Sequence, residues 1–290
     1  MRSTIARLCA VAAVAGGVIV SASQLQLPDE PAKQFGSSIT GSFEGWFDNP
    51  DGTHSFLIGY LNRNRAREVD VPLGPNNHID PGGPDMGQPT HFLPGRQVGL
   101  FTVVVPKNFA PTARISWTVT VNGESNTVPF DLKAEYALSP FKDEAVGNTP
   151  PVLHLFTETA PPIQGPVALL SKAVTRTTSV AAPLQLPIWA EDDAKYTSGT
   201  NAPLARQRPP VSVSWTKWRG PGTVTFDKAK PEMKTLMGGQ QDQPYKGQTS
   251  ATAKFSEPGD YVLHALINDY SGAGEFCCWT TALVKVTVTP

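Results

Sequence analysis

An all-β chain built from two sandwich-like domains is what this sequence predicts. Three observations lead there. Apolar and polar residues alternate with a period of two along several short segments, while helical periodicity is nearly absent. Proline and glycine number 28 and 25 among 290 residues; together they exceed the usual ~12% of a chain, as many short strands joined by turns require. Charged residues are sparse, at 17%, which disfavours solvated helices and disordered tracts alike.

The chain opens with a segment that is not part of the fold. Residues 1–23 read as a secretory signal peptide: Arg2 and Arg7 form a positive start, Leu8 to Val20 is an uncharged, largely apolar run, and Val20-Ser21-Ala22 and Ser21-Ala22-Ser23 offer small-residue cleavage sites. The run has 13 residues, short of the ~18 a membrane span needs. Cys9 lies too early for a lipoprotein cleavage site. The mature chain is therefore expected to begin near Ser23 or Gln24, secreted or periplasmic, with no membrane span. Losing both arginines moves the formal charge from −1 to about −3. So weak a charge argues against nucleic acid and anionic lipid surfaces as partners, since both call for a basic patch.

The first domain spans residues 36–136. Ser55 to Leu61 and Val98 to Val105 read as strands. Arg114 to Val121 alternates cleanly, with Ile115, Trp117, Val119 and Val121 on one face. Asn122-Gly123 is a hairpin turn signal, and Asn126 to Phe130 returns. Residues 137–149 form a linker, where Pro140, Pro150 and Pro151 break any ladder. The second domain spans 150–290. Its strands are Leu184 to Trp189, Val211 to Trp215, Val224 to Phe226, Thr249 to Phe255, Asp260 to Asn268 and Thr280 to Val288. Lys228 to Gln248, rich in Gly, Gln, Pro and Asp, reads as a long exposed loop.

The stretch Ala253 to Gly272 carries Phe255, then Pro258-Gly259, Tyr261, Leu263, Asp269 and Gly272 at characteristic positions, with Trp215 on an earlier strand. This pattern resembles PKD and related immunoglobulin-like domains. The resemblance covers 209–290 and implies a two-sheet sandwich with Trp215 in its core. It implies almost no function, because such sandwiches serve as spacers, adhesion units and binders. As a whole the chain is similar to secreted bacterial proteins of unknown function. Tyr261 sits where its hydroxyl can bond back across the corner. Tyr261, Leu263, Ala265 and Ile267 share a face suited to the core. Val262, His264, Leu266 and Asn268 share the other, so His264 is expected to face solvent. Trp218 lies off the face of Trp215 and is expected to matter less.

Catalytic signatures are missing. No G-x-S-x-G, H-E-x-x-H, Walker loop, EF-hand or G-x-G-x-x-G occurs. Two S-x-x-K patterns, Ser139 to Lys142 and Ser214 to Lys217, lack the accompanying S-D-N and K-T-G. Glu191-Asp192-Asp193 reads as a solvated turn. No catalytic residue, metal or cofactor is assigned, and an enzyme is disfavoured.

One stretch stands out. Between Leu61 and Arg96 a Gly/Pro-rich connection carries Asn62, Arg63, Asn76, Asn77, His78, Asp80, Asp85, Gln88 and His91. A connection of that length is uncommon in a compact domain unless it is functional or disordered. Its prolines stiffen it, and its planar amides, guanidinium and imidazoles are the groups that grip sugars or peptide edges. Trp46 and Tyr60 could add a stacking face. The competing expectation is a large ordered loop whose polar groups satisfy its own backbone. His78, Asp80, Asp85 and His91 have residue types that suit zinc or calcium, but no recognised ligand spacing.

The last feature is Cys277-Cys278. In an oxidising compartment two thiols invite a disulfide, and a mature chain without Cys9 offers these two no other cysteine. Neighbouring Cα atoms sit at ~3.8 Å, closer than ordinary disulfides allow, so a vicinal bridge needs a turn rather than a strand. The alternatives are two free thiols or intermolecular bridges; the vicinal pair is favoured, as a stiff turn presenting Trp279. The leading expectation is a secreted non-enzymatic binding or cell-surface interaction protein with a protein or carbohydrate ligand. The alternative is a carbohydrate-active accessory or hydrolytic protein using the 62–96 region, and a third reading is a purely structural spacer.

Overall fold

The computed structural model describes residues 33–83, 85–144, 147–195, 209–240, 242–269 and 278–290. The chain divides into Met1–Pro31 and Ala32–Pro290. The leader, its cleavage site, Cys9 and Cys277 lie outside the described residues.

The first half holds β1 (Ile39–Asp48), β2 (His54–Asn62), β3 (Val69–Asp70), β4 (Asn77–Asp80), β5 (His91–Phe92), β6 (Gly95–Val105), β7 (Ile115–Val121) and β8 (Glu124–Phe130). Two three-stranded sheets, β1-β2-β6 and β4-β7-β8, face each other, and β3 pairs with β5 as a separate ribbon. The clean alternation of β7 does what it predicts: Ile115, Trp117, Val119 and Val121 are all buried. The turn after it puts Asn122 and Gly123 at φ 53° and 81°, left-handed at both central residues as an Asn-Gly hairpin requires. The core is aromatic. Phe101 meets Trp117 edge-on at 5.5 Å, and Phe43 packs on Phe56 and Phe130. Trp117 also explains Gly41: a Cβ there would lie 2.8 Å from the indole ring.

The second half holds β9 (Val152–Leu155), β10 (Ile163–Gln164), β11 (Val174–Ser179), β12 (Leu184–Asp192), β13 (Val211–Arg219), β14 (Val224–Phe226), β15 (Lys234–Met237), β16 (Tyr245–Phe255), β17 (Gly259–Asp269) and β18 (Trp279–Thr289). One sheet runs β10-β9-β12-β16-β14, with β15 also on β16; the other runs β11-β18-β17-β13. The strands β9-β12-β16-β14 against β18-β17-β13 follow the order of an immunoglobulin-like sandwich, with β10 and β15 added to the first sheet and β11, parallel to β18, added to the second. Trp215, 1% exposed, stands between the sheets. Tyr261 forms the tyrosine corner: its hydroxyl donates to the Glu257 carbonyl at 2.8 Å and accepts the Gly222 N–H at 3.1 Å. The segment expected to be one exposed loop, Lys228 to Gln248, instead contributes β15 and the start of β16, with Met233 and Tyr245 buried. The acidic triplet is only partly solvated. Asp192 is buried and accepts the Ala194 N–H at 2.8 Å, Asp193 accepts the Thr149 N–H at 3.0 Å, and Glu191 pairs with Lys246.

The sheet β11-β18-β17-β13 is covered on both faces, and this corrects two expectations. His264 does not face solvent; it is 2% exposed. Trp218 is not peripheral; it is 2% exposed and joins the core of the first half together with Val262 and Leu283. The reason is visible in β17 and β18. Tyr261, Leu263, Ala265 and Ile267 fill the sandwich of the second half, while the opposite face packs against β6 and its neighbours. A strand buried on both faces loses its alternation. In β18 the first six residues are all buried, and only from Lys285 onward does every second residue reach solvent.

Candidate functional site

The 62–96 connection lies where the two halves meet. Its first part satisfies its own backbone. Asn62 is buried, donates its amide to the carbonyls of Phe92 and Arg67 at 3.1 and 3.2 Å, and accepts from Asn64. Asn77 is fully buried: its amide donates to the Val71 and Pro89 carbonyls at 2.9 and 2.7 Å, and its Oδ1 accepts the Trp117 indole N–H at 2.9 Å. Gln88, also fully buried, accepts the Met86 N–H at 2.8 Å. Arg63 is bonded to the hydroxyls of Ser38 and Thr40. These four side chains shape the loop and leave little to offer a ligand.

The second part of the connection is clamped to the second half. Arg219 holds Asp85 with two charge-assisted bonds of 2.8 and 3.0 Å and also donates to the Gln88 carbonyl. The hydrogen bonds from Arg219 hold the Asp85 carboxyl below its ordinary pKa. The Trp218 indole donates to the Gly87 carbonyl at 3.0 Å, and the Thr90 N–H donates to the Trp218 carbonyl. Asn76 and Asp80 are exposed, and His78 faces Asp80 at 3.2 Å on β4, away from this clamp. The nine candidate residues therefore do not converge. Among the described residues no group of three or more His, Cys, Asp or Glu side chains is placed to hold a metal ion.

His91 alone among them lines a groove, about 430 Å³ in volume, between the halves. Its Nδ1 lies 2.9 Å from Asp70 and its Nε2 3.2 Å from Glu68. Lys217 of β13 reaches the same Asp70 at 3.1 Å. Burial works to raise the Asp70 pKa, but the hydrogen bonds from His91 and Lys217 outweigh it and hold the carboxyl low. The groove floor is formed by Tyr60, Leu93 and Trp218. Burial raises the Tyr60 phenol pKa, and its oxygen accepts the Leu93 N–H at 2.8 Å. Ser214 and Thr216 line the groove as well and have no side-chain hydrogen bond among the described residues. Both ring nitrogens of His91 face carboxylates, and among the described residues no hydroxyl or thiol bonds to it as a nucleophile would to its base.

Sequence reading found His91 and Tyr60 but not Glu68, Asp70 or Lys217. Asp70 and His91 are paired across the β3–β5 ribbon, and Lys217 comes from a strand far along the chain, so no local spacing links them. Cys278 is disulfide-bonded, with its sulfur 3.5 Å from the Asn148 carbonyl. It directly precedes Trp279, whose indole donates to the Gly99 carbonyl of the first half at 3.0 Å.

No protein-family model and no curated protein matches this chain. Among solved structures it is similar to domains 4 and 5 of the S-layer protein SbsC, at 11% identity over 61% of this chain and 66% of that one, with a TM-score of 0.22. It is also similar to dimeric latent PorU from Porphyromonas gingivalis, at 8% identity over 87% of this chain and 24% of that one, TM-score 0.25. The collagen adhesin CNA from S. aureus matches at 8% identity over 87% of this chain and 92% of that one, TM-score 0.18. The chain spans less than two thirds of the length of the first two. With TM-scores far below 0.5, none of these likenesses carries an argument about function. Among the described residues no helix is long and apolar enough to cross a membrane.

Proposed function

We propose that this protein is a secreted, non-enzymatic binding or cell-surface interaction module whose recognition site is the groove between its two halves. The observation that carries the reading is the convergence there of Glu68, His91 and Lys217 with the free hydroxyls of Ser214 and Thr216 over an apolar floor. A few polar groups placed on an apolar lining are what a selective small site needs. The charges of Glu68, Asp70 and Lys217 suit a polar peptide better than an apolar ligand. Asp85 is committed to Arg219 and Asp80 faces His78, which disfavours either carboxylate as the base of the hydrolytic alternative. In the second half, the PKD-like reading of residues 209–290 rests on their own sequence pattern, with the immunoglobulin-like strand order as its support.

The test is a peptide and glycan array probed with the mature protein, followed by the variants His91→Ala and Lys217→Ala. A hit that weakens about tenfold or more in both variants supports the groove, since removing a central contact costs more than ~1 kcal/mol. A hit indifferent to both, or a blank array, refutes it.

A further inference from the structure

A second cleft shares no lining residue with the first groove. It is the larger of the two, about 690 Å³, within the range of small-molecule sites. Its floor is the outer face of the β1-β2-β6 sheet, where Ser55, Thr102 and Val104 project opposite the core-facing Phe101, Val103 and Val105. Its far wall is β10, the segment 167–172 and the start of β18.

Three features define what it can take. The floor carries hydroxyls that the protein does not fully use. Thr102 is 2% exposed, lines the cleft, and has no side-chain hydrogen bond among the described residues. Thr281 is fully buried; its oxygen accepts the Ala168 N–H at 3.0 Å, which leaves its own proton to donate. Both residues line the cleft, so their hydroxyls are placed to bond a polar occupant. Apolar side chains line the cleft as well and are partly open: Phe141 and Val104 are each 38% exposed. Phe141 is held in place edge-on against Phe47 at 5.3 Å and lies on Gly165, where a Cβ would fall 2.3 Å from the ring. Last, the lining is close to electrically neutral, with Asp51 on one side and Lys172 on the other.

From these features we infer that the cleft binds a neutral saccharide. A sugar ring combines hydroxyl edges, which match Thr102, Thr281 and the Oε1 of Gln164 (its amide is spent on the Pro150 carbonyl), with C–H faces that match Phe141 and Val104. An anionic or cationic ligand finds no net charge to meet.

The experiment is calorimetric titration of the mature protein with maltotriose, cellotriose and chitotriose. The expected result is saturable binding of at least one probe at millimolar or lower concentration. It should weaken about fivefold or more in Thr102→Val, which removes the hydroxyl and keeps the shape, and in Phe141→Ala, which strips the stacking wall. Unchanged thermal melting shows that each variant folds. No binding of any of the three probes overturns the inference, and so does binding that survives both substitutions. The same titration on His91→Ala keeps the two sites apart: binding that falls with His91 belongs to the junction groove and removes the saccharide from this cleft.

Discussion

Acid should loosen the joint between the two halves, and His264 sets the pH at which it does so. The imidazole is wholly enclosed. It stacks on Trp218 with ring centroids 5.0 Å apart, and its Nε2 lies 3.1 Å from the Leu100 carbonyl, its one hydrogen-bond partner among the described residues. Burial pushes its pKa from 6.5 down to about 4, a shift the Leu100 hydrogen bond only partly offsets. A base whose folded pKa lies below its unfolded value binds more protons when unfolded. Its effect is therefore absent above pH 6.5 and grows as pH falls toward 4, where it levels off. The full shift corresponds to about 3 kcal/mol. At pH 5, linkage gives a loss of about 2 kcal/mol relative to pH 7.5. One other group bears on the same range. Burial raises the Glu44 pKa against the pull of Arg96, so Glu44 favours the folded state as pH falls and works against His264. Asp70 and Asp85 are held low; their stabilisation disappears only as pH falls below the ordinary carboxylate value, under the His264 window. The assay is urea unfolding at pH 7.5 and pH 5.0 of the wild type and of His264→Gln, which keeps a donor near Leu100 and cannot take up a proton in this range. The variant is less stable at pH 7.5, but its stability should change by about 2 kcal/mol less between the two pH values than that of the wild type. Parallel pH dependence in the two proteins would show that His264 is not held neutral, and the reasoning would fail.

Four further outcomes follow from the contacts. Trp218→Ala should cost about 3–5 kcal/mol, comparable with Trp215→Ala; a loss below ~1 kcal/mol in chemical denaturation would remove Trp218 from the core. Asn77→Ala leaves the Trp117 N–H and two carbonyls unpartnered in the interior and should lower stability by about 2–3 kcal/mol, whereas a change within ~0.5 kcal/mol would mean that water takes over its bonds. Gly99, at φ 54° with the Trp279 ring 2.2 Å from where a Cβ would stand, should tolerate no side chain: Gly99→Ala is expected to melt at a clearly lower temperature, and an unchanged melting curve contradicts the close packing. For the disulfide of Cys278, peptide mapping of the exported protein is expected to identify Cys277 as the partner in a monomer two hydrogens lighter than the reduced chain; two alkylatable thiols or a covalent dimer count against the vicinal bridge.

The clearest elements in the sequence are those with one wet face. β7 alternates between core and solvent and ends in Asn-Gly, so both its burial and its turn can be read directly. The corner at Tyr261 is equally local, since the Pro-Gly turn and the tyrosine lie within four residues. β1 is harder to see. Gly41 and Gly45 interrupt its pattern, the first to let Trp117 approach and the second beside a bulge in the β1–β2 register, although Asn49-Pro50-Asp51-Gly52 marks its end with turn chemistry. His264 and Trp218 were misplaced by the same rule that worked for β7. Alternation says which residues share a face; it does not say whether that face meets water or a second core. The candidate loop shows a parallel limit. The amides of Asn62, Asn77 and Gln88 have the composition of a gripping surface and the location of internal braces, and composition alone does not separate the two. The cluster of Asp70, His91 and Lys217 depends on contact between residues far apart in sequence, which no local pattern records.

The twice-covered sheet also bears on how this protein can be taken apart. Residues 137–149 look like a hinge in sequence, the natural place for a geneticist to cut. A cut there would yield a second half whose Trp218, Val262, Leu283 and Trp279 stand bare on one broad sheet face, a patch of the kind that drives soluble fragments into aggregates. The two halves thus share one packed unit, and a substitution in β17 or β18 must satisfy two cores at once.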